Sequence, residues 1–271
     1  MASTRVNDSS DGVPVVPGWF QDGFHRFLKP YLGRHFHAVA VDRDSRSGAS
    51  VCNGEPLVVF GNHPSWWDPL VAHYLNRTLF PERQFFAPID ASALAQYKVF
   101  GKLGFYGVEL NHASGAAAFL KTSKRILDTP NTAIWMTPEG RFCDARDDTA
   151  PLMPGLAHLC SKRSGGWALP LALEYVFWDE RLPVCMARLG EPIRIGDHVG
   201  IDKAAWNELL TAALRENQSR LSQSSIIRSS EPFDNVLSGR RGAGGTYDFF
   251  RRIKSWATGK RFRAQHGNQF E

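Results

Sequence analysis

The chain predicts an α/β fold with a mixed, largely parallel sheet flanked by helices, on three observations. Short apolar runs recur at residues 57–60, 132–136 and 169–175, rich in the branched and aromatic residues that suit buried strands. Between such runs lie stretches with apolar residues at helical spacing; residues 114–128 are the plainest, with their alanines and Phe119, Leu120, Ile126 and Leu127. Strands and helices alternate along the chain, as a sheet covered on both faces requires. With 271 residues, 43% of them hydrophobic, the chain can bury a sizeable core, which argues against global disorder.

Residues 1–18 are polar, carry Asp, Ser and Pro, and lack the apolar stretch of a secretory signal, so a loose tail is expected there. Residues 19–32 place Phe20, Phe24, Phe27, Leu28 and Tyr31 at helical spacing with Arg26 and Lys29 between them. This amphipathic stripe suits either a helix lying on a membrane surface or one packed on the core. Strands are then expected at residues 36–41, 57–60, 84–87, 105–108, 132–136, 169–175 and 184–189. Helices are expected at 69–79, 91–103, 114–128, 154–162 and 203–222. Residues 42–54, 144–151 and 223–245 read as linkers from their polar, charged or Ser/Gly-rich content. One domain over residues 19–222 follows, with 223–271 as linker and a basic, aromatic C-terminal segment. No run reaches the roughly 18 apolar residues of a spanning helix.

Residues 247–263 interleave Phe249, Phe250, Ile253 and Trp256 with Arg251, Arg252, Lys254, Lys260, Arg261 and Arg263. Such a segment suits anionic lipid headgroups, each exposed cation contributing about 1 kcal/mol near the surface. The net charge of +5 would also permit nucleic acid, but no recognised nucleic-acid motif accompanies it, and none is expected as a partner. The four cysteines are scattered without a C-x-x-C pair, which favours a reducing compartment and no zinc ribbon. Asp144, Asp147 and Asp148 lack the glycine-punctuated spacing of a calcium loop, and His35 and His37 have no third ligand, so no metal site is assigned.

The stretch V-V-F-G-N-H-P-S-W-W-D-P-L at residues 58–70 carries the chemistry. An apolar strand is broken by Gly61, Asn62 and Pro64, and Asp68-Pro69 reads as a helix cap followed by the first helical residue, with Ser65 as a competing cap. Either start folds Asp68 back toward His63. A carboxylate that accepts a hydrogen from one imidazole nitrogen fixes the tautomer and leaves the other nitrogen free to take a proton from a hydroxyl. The second carboxylate oxygen is free, on this reading, to cap the helix. A second strand exit, Thr137-Pro138-Glu139-Gly140-Arg141, follows another buried run and adds an acid and a cation to what reads as one rim.

Here the chain resembles the phospholipid and glycerol acyltransferase family, typified by 1-acylglycerol-3-phosphate acyltransferases, over roughly residues 57–195. The family motif N-H-x-S-x-x-D is matched by Asn62, His63, Ser65 and Asp68, and P-E-G by Pro138, Glu139 and Gly140, with Arg141 one place earlier than the family's arginine. The apolar strand around Pro170 is similar to the family's last motif. In the intermediate G-x-x-F-x-x-R motif Leu110 stands where the family has arginine, beside Glu109. That substitution removes a charge-assisted phosphate contact worth about 1.5–3 kcal/mol.

The resemblance implies an O-acyltransferase that moves a fatty acyl group from acyl-CoA or acyl-carrier protein to a hydroxyl of a lysophospholipid or glycerol phosphate, with no cofactor. His63 would be the general base and Asp68 its orienting partner. Glu139, Gly140 and Arg141 would position the acceptor head, with Asn62 and Ser65 at the binding turn. Backbone N–H groups near the start of the following helix are candidates for the oxyanion. Leu110 keeps open a non-phosphate lipid alcohol as acceptor, such as a glycosylated terpenoid or an amino-acid-derived lipid. A peripheral position on the cytoplasmic face of a membrane is the expected location. Of the rival classes, a serine hydrolase lacks its G-x-S-x-G nucleophile elbow, and a non-catalytic lipid-binding module would keep the fold without needing His63.

Overall fold

The computed structural model describes residues 13–52, 54–109, 113–239 and Phe270. Among these residues nine strands form one sheet in the order β4-β3-β5-β2-β6-β7-β1-β9, with β8 pairing β6. They are β1 (Ala38–Asp42), β2 (Leu57–Gly61), β3 (Gln84–Asp90), β4 (Phe105–Val108), β5 (Thr132–Met136), β6 (Trp167–Val176), β7 (Val184–Leu189), β8 (Ile193–Arg194) and β9 (Phe233–Ser238). The pairs linking β4, β3, β5, β2 and β6 are parallel, as is β1 with β7, whereas β6/β7, β6/β8 and β1/β9 are antiparallel. This is the expected mixed, largely parallel α/β architecture.

The two faces are covered by different helices. Alternation along β2 sends Leu57 and Val59 to one face and Val58 and Phe60 to the other. The first face carries α1 (Gly18–His35) and α3 (Asp68–Leu79) through Leu28, Leu32, Val71, Tyr74 and Leu75. The second carries α5 (Ala113–Leu127), α6 (Gly155–Ser161) and α7 (Lys203–Ile227), with Ile126, Leu127, Leu156, Trp206, Leu210 and Leu214 buried. Neighbouring strands β2 and β5 therefore lead into elements on opposite faces, and the crevice between their carboxyl ends is where such sheets place a site.

Of the two alternatives for the α1 stripe, the structure has the core-packed one: Leu28 is buried, and Phe20, Phe24 and Tyr31 pack against the cluster, leaving Trp19 and Phe27 exposed. Several expectations need correction. Residues 13–18 are not a loose tail, since Val13 and Val16 pack against the second cluster and Gly18 begins α1. The 42–54 linker holds a 3-10 turn and the short α2 (Ser47–Val51). A single helix over 91–103 is in fact α4 (Ala91–Gln96), capped by the Asp90 carboxylate, followed by a 3-10 stretch. The domain does not end at 222, because α7 runs to Ile227 and β9 pairs antiparallel with β1. Among the described residues no helix is long and apolar enough to cross a membrane. Leu110 and residues 247–263 lie outside the described residues.

Two prolines sit within strands where a donor is not needed. Pro170 lies on β6 between the reach of β8, which ends at Ala168, and of β7, which begins at Leu171. Pro88 lies on β3 past Phe86, where pairing with β5 stops and only β4 remains. Both are positions where the missing N–H costs the sheet little.

Candidate active site

The carboxyl ends of β2 and β5 bring His63 and Glu139 together. The His63 ring presents Nδ1 to Oδ2 of Asp68 at 2.6 Å, with the Asp68 side chain 4% exposed and that of His63 18% exposed. Ser65 donates its backbone N–H to the same Oδ2 at 3.1 Å, and its hydroxyl accepts from the Trp67 N–H at 3.3 Å. The turn thus closes on itself and holds the carboxylate against the imidazole. Nε2 of His63 has no hydrogen-bond partner among the described residues, so with Nδ1 protonated it is the free acceptor. Phe142, largely exposed, lies against the ring with centroids 4.4 Å apart.

Glu139 holds the same histidine by its main chain. Its Oε2 accepts the His63 backbone N–H at 2.9 Å and its Oε1 takes Arg215 of α7 at 2.8 Å. The Glu139 side chain is fully enclosed and that of Arg215 nearly so. Arg215 also donates to the carbonyls of Asp147 and Ala150 and to the Gln218 amide oxygen, tying down the loop after β5. Cys143 completes the clasp by donating its N–H to the His63 carbonyl at 3.0 Å. A fully enclosed carboxylate paired on both oxygens is a scaffold element, since a substrate hydroxyl has no access to it.

The structure therefore revises four assignments. Glu139 does not line the opening; it bridges β2, β5 and α7. Asn62 is buried, and its amide is fully engaged with Leu173, donating to the carbonyl at 2.9 Å and accepting the N–H at 2.8 Å. Its side chain thereby extends the β2/β6 ladder, which ends at Gly61 opposite Leu171. The second oxygen of Asp68 does not cap α3: Oδ1 accepts the Tyr175 hydroxyl at 2.6 Å. The backbone N–H groups of Trp67, Asp68, Leu70 and Val71 all have partners as well, so the start of α3 offers none of them to an oxyanion.

Gly140 and Arg141 are exposed in the turn after β5, for a conformational reason. Gly140 has φ +66°, and a Cβ there would collide with the Met153 sulfur. This left-handed turn, which glycine adopts without strain, is followed by exposed Arg141 and Phe142. The Arg141 guanidinium has no ion-pair or hydrogen-bond partner among the described residues.

Sequence reasoning missed Tyr175 and Arg215. Burial, with the neighbouring Asp68 and Cys185, pushes the Tyr175 hydroxyl well above its ordinary range, so it stays protonated and donates. Burial likewise pushes up the Cys185 thiol. Tyr175 was visible only as a strand residue, and Arg215 as one cation on a long helix; neither carried a local signal.

Residues 46–174 match the family model described as Acyltransferase. This part of the chain is an acyltransferase-family domain. The match contains His63, Asp68 and Glu139 and stops before Tyr175 and Arg215. No curated protein matches the chain. The acyltransferase domain brings acyl transfer as the reaction class, and the His63 pair lies within it.

Proposed function

We propose that this acyltransferase moves a fatty acyl group from a CoA or carrier-protein thioester to the hydroxyl of a lysophospholipid or glycerol phosphate, with His63 as general base. The observation that carries the reading is the His63 ring itself: Nδ1 is bound to Asp68, Nε2 is unengaged, and the ring is partly open to solvent. The acceptor hydroxyl gives its proton to Nε2 as its oxygen attacks the thioester carbonyl. Asp68 stabilises the imidazolium that forms. The tetrahedral intermediate then collapses, the C–S bond breaks, and the leaving thiolate takes the proton back from His63. No protein nucleophile and no cofactor enters this sequence.

Exposed Arg141, two residues after Glu139, is the cation assigned to the acceptor's anionic group, a guanidinium being suited to a phosphate. Exposed Trp66 and Phe142 flank the entry to His63, and Phe27 and Trp19 extend an aromatic surface along α1 beside exposed Arg26 and Lys29. These groups support a peripheral position on a membrane surface, with the opening toward the lipid; the face proposed is the cytoplasmic one, where acyl thioesters are at hand. The leucine at position 110 favours a second reading, in which the acceptor is a lipid alcohol without phosphate.

The test is to incubate the purified full chain with radiolabelled acyl-CoA or acyl-carrier protein and a panel of lysophospholipids, glycerol phosphate and neutral lipid alcohols. Labelled ester on phosphate-bearing acceptors is expected. Ester on neutral alcohols alone would select the second reading, and lipid binding without any transfer would reduce the protein to a binding module.

A further inference from the structure

Asp68 has two oxygens, and only one of them faces the histidine. Oδ2 serves His63 and the Ser65 N–H, both from its own turn. Oδ1 is served by a strand far away in sequence, through the Tyr175 hydroxyl at 2.6 Å. A carboxylate rotates about a broad, roughly two-fold torsion unless both oxygens are held, and an unsatisfied buried oxygen is costly.

We infer that Tyr175 is a positioning residue for the reaction, its hydroxyl fixing the Asp68 carboxylate in the orientation that presents Oδ2 to Nδ1 of His63. This rests on the reading of His63 as base. The placement of Tyr175 follows from sheet register. Asn62, the residue before His63, is bonded on both amide atoms to Leu173 of β6. Two residues further along a strand the side chain returns to the same face, and Tyr175 packs with Leu173 on the face that α3 covers. A closed circuit results, running from the β2 exit to Asn62, Leu173, Tyr175, Asp68 and back to His63. The phenol stays protonated and so keeps the hydrogen it donates to Asp68, and the Cys185 thiol beside it is neutral as well.

Tyr175→Phe tests this, because it keeps the ring packed near Phe36, at 5.8 Å between centroids, and deletes only the hydroxyl. The expected result is a kcat lower by about tenfold to hundredfold, the worth of a hydrogen bond to a charged group, with KM for donor and acceptor nearly unchanged and the melting temperature lowered by the loss of one buried hydrogen bond. A readout independent of turnover is the tautomer of His63, from its ring 15N shifts at neutral pH. The wild type is expected to hold Nδ1–H with Nε2 unprotonated, and the variant to populate both tautomers. An unchanged tautomer, or a fall in kcat that disappears when rates are normalised to folded protein, overturns the inference. A tautomer change in Tyr175→Phe alongside a wild type that transfers no acyl group would uphold the positioning while rejecting His63 as base.

Discussion

His63 and His73 lie ten residues apart in sequence, on either side of the start of α3, and their surroundings are opposite. His63 is held at its ring by Asp68 and at its main chain by Glu139, and each carboxylate is in turn held by a residue from elsewhere, Tyr175 or Arg215. His73 is 4% exposed, sits between the rings of Phe24 and Phe85, and has no hydrogen-bond partner for either ring nitrogen among the described residues. Burial, then the neighbouring His25 and Arg77, pushes its pKa down to about 4. The first histidine is oriented and keeps a free nitrogen at an opening. The second is a neutral filler whose polar atoms are a cost to the fold. Histidines this near in sequence thus acquire different work from their second neighbours, which is where the two should be probed.

The largest separation is expected from Asp68→Asn, which keeps shape but loses the charge that steadies the imidazolium. Acyl transfer should fall about a thousandfold or more in an initial-rate assay, whereas a substitution at His73 should leave the rate alone. Next comes Glu139→Gln, which leaves the enclosed Arg215 without its counter-charge. Breaking a buried pair in this way costs about 3–5 kcal/mol, read as a lower denaturant midpoint, and the rate should fall with it because the His63 main chain loses a charged acceptor.

The third prediction concerns pH and isolates His73. Its folded pKa lies below the unfolded value, so the unfolded state binds the extra proton first. Stability is intact above the ordinary pKa of 6.5 and is lost as pH falls toward about 4, by about 3 kcal/mol in all. His73→Leu, which suits the aromatic surroundings, should flatten this part of the stability profile between neutral and acid pH and leave activity at neutral pH intact. A profile as steep in the variant as in the wild type would assign the acid sensitivity elsewhere. The smallest effect is expected from Arg141→Ala: a KM for an anionic acceptor raised by about tenfold, in line with loss of one charge-assisted contact, and kcat little altered.

The contrast also explains how much could be read from the chain. The apolar runs that became β2, β5 and β6 were legible because they are continuous and bounded by Gly, Pro or charged residues, and His63 with Asp68 was legible because the pairing is local. Tyr175 and Arg215 were not, since each reaches the site only through sheet register or the docking of α7. Asn62 and Glu139 were legible as site residues but not in their roles, because a polar side chain at a strand exit reads alike whether it faces a substrate or another strand. The strand β9 was hidden inside a Ser/Gly-rich stretch, its pairing supplied by β1 across the molecule. The helix break at Tyr97 and the inward stripe of α1 likewise depend on what packs against them.

The most direct test of the central claim is the initial rate of acyl transfer by purified His63→Ala, compared with wild type under matched folding by circular dichroism and matched lipid binding. If His63 removes the acceptor's proton, transfer should drop about a hundredfold to ten-thousandfold while binding persists. A variant that transfers acyl groups at an undiminished rate would contradict the account.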